Sequence, residues 1–138
     1  MRVILDTNVL VSGVFYASGP PGRIVVSFIE NKFELVISPK ILTEYIGIIT
    51  KLQSHYPEVN IDQFLNKIFR VPDMYVPGAL REPICQDPED DKFIACAIVS
   101  KTKIIVSGDK HLLDVSGYRD IEIIKPKRFV EKYLQGPA

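Results

Sequence analysis

Two apolar runs, Val3-Ile4-Leu5 and Ile104-Ile105-Val106, constrain this chain more than any other feature. They are too short for helices and show no polar alternation. Runs of this kind read as strands buried on both faces, the pattern of a parallel sheet covered by helices. Further strands are predicted at Phe33–Ile37 and Ile121–Ile124, with Val71–Val76 as a short edge strand, because Pro72 could not donate to a central ladder.

Helical segments fill the intervals. After the turn-rich Ser18-Gly-Pro-Pro-Gly22, Arg23 to Asn31 reads as a helix with Ile24, Phe28 and Ile29 inward. Val9, Leu10, Val11 and Val14 read as a buried or dimer-facing turn beyond the first strand. Ser38-Pro39 is a helix start, with Ser as the cap and Pro in the first turn. That helix is expected to reach about Lys51, and another to span Ile61 to Phe69. Asp87-Pro88 opens a helix through Lys101, Lys110 to Asp114 a short one, and Pro126 the last. Strands alternating with helices give an α/β sandwich around a mostly parallel sheet. With 138 residues and no linker, repeat or low-complexity tract, one domain over 1–138 is expected.

Composition narrows the function classes. No apolar run approaches the ~20 residues of a membrane span. The apolar stretch after Met1 is too short for a secretion signal, so a cytoplasmic location is expected. Cys85 and Cys96 belong to no CxxC or Cys/His cluster and read as reduced packing residues. Net charge is zero and pI about 6.7, unlike a protein that coats nucleic acid. An acidic pocket with a basic rim would give the same sum, and from Lys101 onward eight Lys/Arg stand against five Asp/Glu.

Four carboxylates interrupt this apolar pattern. Asp6 and Asp109 follow the first and late strands, and ligands in such sheets bind at the carboxyl ends of the strands. Glu44 lies in the stripe Ile41, Glu44, Tyr45, Ile48, Leu52, too deep in its helix to cap it. Asp91 aligns with Ile94, Ala95 and Ile98, whereas Asp87, Glu89 and Asp90 suit the helix start. A buried unpaired carboxylate costs several kcal/mol, and a divalent cation removes that cost. The four are therefore expected to converge on a Mg²⁺ or Mn²⁺ site that cuts a phosphodiester. Glu44 would be a direct ligand or act through water, and Thr7 or Asn8 would orient Asp6 or a bound water.

Each acid has a plainer alternative: a local turn for Asp6, a snorkelling flank for Glu44, a helix cap for Asp91 and for Asp109. Asp6 as a phosphatase or phosphoacceptor nucleophile is a further alternative, although Asn8 stands where such sites usually carry a second Asp. His55 and His111 read as surface or packing residues. Arg23, Lys92 and Lys110 are candidate contacts for a substrate phosphate.

The segments VILDTNVLVS, SPKILTEY, DPEDDKFIACA and IIVSGDKHLL, in this order, resemble the PIN-domain nucleases over essentially the whole chain. GPPGRI resembles the VapC-like branch, described as toxin components of prokaryotic toxin–antitoxin pairs. The resemblance implies a three-layer α/β/α sandwich with a sheet of four to five strands. It assigns the acidic positions to Asp6, Glu44, Asp91 and Asp109, with Asn8 and Ser107 in support. It also implies Mg²⁺- or Mn²⁺-dependent cleavage of RNA, homodimers, and a small antitoxin partner that occludes the site. A non-catalytic scaffold or binding module is the competing reading.

Overall fold

The computed structural model describes residues 1–71, 73–80 and 82–134. Four strands form one parallel sheet: β1 (Arg2–Leu5), β2 (Glu34–Leu35), β3 (Ile104–Val106) and β4 (Glu122–Ile124), in the order β2-β1-β3-β4. The register pairs Val3 with Leu35, Ile4 with Ile105 and Ile105 with Ile123. Val3, Ile4, Leu5, Ile105 and Val106 are all buried, so helices cover both faces and the architecture is three-layered. The helices are α1 (Thr7–Phe15), α2 (Gly19–Ile29), α3 (Pro39–His55), α4 (Asp62–Ile68), α5 (Asp91–Ser100), α6 (Lys110–Leu113) and α7 (Pro126–Tyr133). Among the described residues, no single helix is long and apolar enough to cross a membrane.

The chain leaves β1 for β2 on one side and reaches β3 on the other. The gap between the ends of β1 and β3 is thus a topological switch point, where such sheets bind ligands. Backbone bonds from Asp6 N–H to the Val106 carbonyl (2.9 Å) and from Ser107 N–H to the Ile124 carbonyl (3.0 Å) hold those ends in register.

Several elements depart from the sequence reading. The stretch after Asp6 is a nine-residue helix, not a turn: Val9, Leu10, Val11 and Phe15 are all buried, so tertiary packing overrides the modest helix propensity of valine. α2 begins at Gly19, four residues before Arg23, because Pro20 and Pro21 fit a first turn as well as a loop. Gly13 lets α1 pack closely on α2, and Gly22 lets the loop at Ala17 fold tightly against α2. A Cβ on Gly22 would lie 2.1 Å from the Ala17 carbonyl oxygen, and one on Gly13 would lie 2.3 Å from that of Pro21. The expected edge strand at Val71–Val76 reduces to one parallel bridge, Met74 with Ile37, and Pro72 lies outside the described residues. α3 starts as expected, its Ser38 Oγ accepting from Ile41 N–H at 3.2 Å, and runs on to His55. Asp87-Pro88 opens a 3₁₀ turn over Pro88–Asp90 before α5 begins.

Candidate active site

Asp6 sits at the carboxyl end of β1, 5% exposed. Although it precedes α1, its side chain does not cap that helix; its carbonyl instead accepts from Val9 and Leu10. The carboxylate is free to face the switch point, where Ser107 Oγ donates to Oδ2 at 2.7 Å. Burial raises the Asp6 pKa, the Ser107 bond opposes that rise, and the charges of Asp109 and Glu44 add to it.

Asp109 leaves β3 two residues after Ser107. Its backbone N–H donates to Ser107 Oγ at 2.9 Å, so one buried hydroxyl ties both acidic segments together. Asp109 Oδ1 accepts from His111 N–H at 2.8 Å and caps α6. Capping uses one oxygen, and a carboxylate has two.

Glu44 reaches the site because Tyr45, fully buried, donates its hydroxyl to the Leu5 carbonyl and pins α3 over the end of β1. Thr7 Oγ1 donates to Glu44 Oε2. Lys92 Nζ lies 2.9 Å from Glu44 Oε1.

Asp91, expected among the metal ligands, engages the main chain. Its carboxylate accepts from the backbone amides of Cys85, at 2.7 Å, and of Ile84, at 3.1 Å, and so anchors the loop before α5. Asp90 faces Asp6 and Asp109 instead. The buried face of α5 runs through Phe93, Ile94 and Ala97, which stand three, four and seven residues past Asp90, whereas Ala95 and Ile98 of the Asp91 stripe are only half-buried. Asp90 has a pKa pushed up to about 6, first by burial and then by the charges of Asp109, Asp6 and Asp87. Its Oδ2 is buried without a hydrogen-bond partner. His111 Nδ1 lies 4.0 Å from that oxygen and 3.8 Å from Asp109 Oδ1. Ligand atoms of Asp87, Asp90 and His111 lie within 4.8 Å of one another. Asp90 reads in the sequence only as an acid suited to the helix start, and the one local signal for His111 is its place two residues past Asp109.

The supporting residues divide. Thr7 holds Glu44 and Ser107 holds Asp6, while Asn8 is exposed and contributes its backbone amide toward Asp6. Of the candidate RNA contacts, Lys110 is exposed beside Asp109. Lys92 is corrected: its side chain is only 12% exposed and is committed to Glu44. Arg23 is exposed on α2 and donates to the Leu134 carbonyl at 3.3 Å. Cys85 and Cys96 are buried free thiols, both pushed up to about 12 chiefly by burial, which fits packing.

A cluster of acids at the switch point of a parallel sheet defines a class of metal-binding hydrolytic sites. The chain belongs to the PIN-domain family, whose profile matches residues 2–111, the whole span of the cluster. PIN domains are generally nucleases that use divalent metals, and the group Asp87, Asp90 and His111 is of a kind that can bind one. An uncharacterized protein of Methanocaldococcus jannaschii is 32% identical over 144 aligned positions, covering 96% of this chain and 92% of its own length. No solved structure matches the chain in the corresponding comparison.

Proposed function

We propose that this protein is a Mg²⁺- or Mn²⁺-dependent endoribonuclease, acting in the cytoplasm as the toxin component of a toxin–antitoxin pair. The observation that carries the reading is the gathering of Asp87, Asp90 and His111 within 4.8 Å, where the charges of Asp109 and Asp6 also act on Asp90 and a buried Asp90 oxygen has no partner. Such crowding is costly without a cation. The donor set is mainly carboxylate oxygen, which suits Mg²⁺ and Mn²⁺. The residues therefore fit the ion the family uses: Asp90 with Asp87 and His111 would hold it, and Asp6 and Asp109, whose charges act on Asp90, would complete the set.

When bound, the ion supplies an acidified water and polarises the phosphoryl group. The protein's share is preorganisation. Ser107 fixes the Asp6 carboxylate, the α6 cap fixes Asp109, and the 3₁₀ turn fixes Asp90. Lys110, exposed beside Asp109, is placed to meet a substrate phosphate without choosing a base. Because water rather than the 2′-OH attacks, the products carry a 5′-phosphate and a 3′-hydroxyl.

Incubation of labelled single-stranded RNA with Mn²⁺, with and without EDTA, tests the reading. Asp6→Asn is expected to abolish cleavage while leaving the circular dichroism spectrum intact; full activity in that variant would refute the assignment. Growth arrest on expression, absent in Asp6→Asn, tests the toxin role. A homodimer and a small protein partner are part of the proposal, to be checked by size-exclusion with light scattering and by co-purification with the product of the neighbouring reading frame. The ion pair of Glu44 with Lys92 favours one competing reading, a non-catalytic scaffold, because it neutralises one acid of the set. A scaffold would give no metal-dependent signal in any arm.

A further inference from the structure

Glu44 borders the cluster, yet both of its oxygens are taken. Oε1 is 2.9 Å from Lys92 Nζ, and Oε2 accepts from the Thr7 hydroxyl. Lys92 is no loose surface cation reaching inward. Its ammonium also donates to the Glu89 main-chain carbonyl at 2.5 Å and lies 5.3 Å from the centre of the Phe93 ring. With 12% of the side chain exposed, the charge is held in place and little screened. A fourth acid beside Asp6 adds to the negative charge there, and the Lys92 ammonium at 2.9 Å offsets it. A metal ion could claim Glu44 only by breaking this pair and leaving a half-buried ammonium uncompensated.

We propose that the Lys92 ammonium stands in for a metal ion at Glu44, making Glu44 a positioning residue and not a metal ligand. The inference rests on the metal reading above. Through Thr7, the residue that follows Asp6, Glu44 fixes the start of α1 and with it the direction of the Asp6 carboxylate.

The test is titration of the full chain with Mn²⁺ alone, followed by calorimetry and by the free-ion electron paramagnetic resonance signal, with no RNA present. Lys92→Met frees the Glu44 carboxylate and is expected to bind one more Mn²⁺ than the wild type. Lys92→Arg keeps a cation there and keeps the wild-type number. The paired variant Glu44→Gln with Lys92→Met removes both charges together and is expected to bind the wild-type number of ions. Loss of a true ligand such as Asp90 should exceed the roughly tenfold that even supporting residues can cost. The paired variant also covers a Lys92→Met that fails to fold, since it leaves no charge unpaired. An unchanged ion number in folded Lys92→Met, or fewer ions bound by the paired variant than by the wild type, would overturn the proposal. If Asp90→Asn binds Mn²⁺ like the wild type, the metal reading itself falls, and this inference with it.

Discussion

Replacing Asp90 with Asn should make the metal-free protein more stable while removing its activity. The ionised carboxylate is 14% exposed, faces Asp109, Asp6 and Asp87, and has one oxygen without a partner. Its pKa rises from the ordinary 3.8 to about 6, so the native state holds this proton more tightly than the unfolded chain does. At pH 8 the ionised group then destabilises the fold by about 3 kcal/mol. As pH falls below about 6 the native carboxyl protonates, and by pH ~4 most of the penalty is gone. Asn carries no charge but must still find room for its amide, so a gain of about 1–3 kcal/mol is expected at pH 8. For a chain of this length that is a rise in Tm of roughly 3–10 °C. Thermal unfolding of both proteins in EDTA, at pH 8 and pH 4, is the assay. The difference should be large at pH 8 and small at pH 4. Saturating Mn²⁺ should reverse the order by stabilising only the wild type, by about 2.7 kcal/mol when the ion stands at 100 times its Kd. The electrostatic reasoning fails if the two proteins melt together at pH 8, or if their separation is the same at both pH values.

Other outcomes follow from the same geometry. Mn²⁺ affinity should fall by up to about tenfold per pH unit below pH ~6, because binding must displace the Asp90 proton; calorimetry from pH 5 to 8 reads this directly. Asp91→Asn should keep Mn²⁺ binding but lose about 1–2 kcal/mol of stability, since it weakens the bonds to Ile84 and Cys85, and chemical denaturation measures that loss. Gly22→Ala should cost about 1–3 kcal/mol through the clash with the Ala17 carbonyl, seen as a lower denaturation midpoint with no change in slope. Tyr45→Phe should leave the Leu5 carbonyl without its partner, costing about 1–3 kcal/mol, and should slow cleavage because Glu44 loses its anchor.

The amino-acid sequence by itself determined the layered architecture and the place of the site. Val3-Ile4-Leu5 and Ile104-Ile105-Val106 can be buried on both faces only in a covered parallel sheet, and an acid after each strand must emerge at the same edge. Asp6, Asp109, Ser107 and the Ser38-Pro39 helix start were legible for that reason, because each depends on its own neighbours. Only the tertiary structure decided between Asp90 and Asp91. The two are adjacent and chemically identical, and their contacts differ because the buried face of α5 runs through Phe93, Ile94 and Ala97, three, four and seven residues past Asp90. It likewise decided that Lys92 serves Glu44 rather than a substrate, because that contact joins residues on two helices whose crossing no local pattern encodes. Local periodicity records which residues are buried; the partner each one meets depends on rotations of a few tens of degrees, set by packing across the whole core.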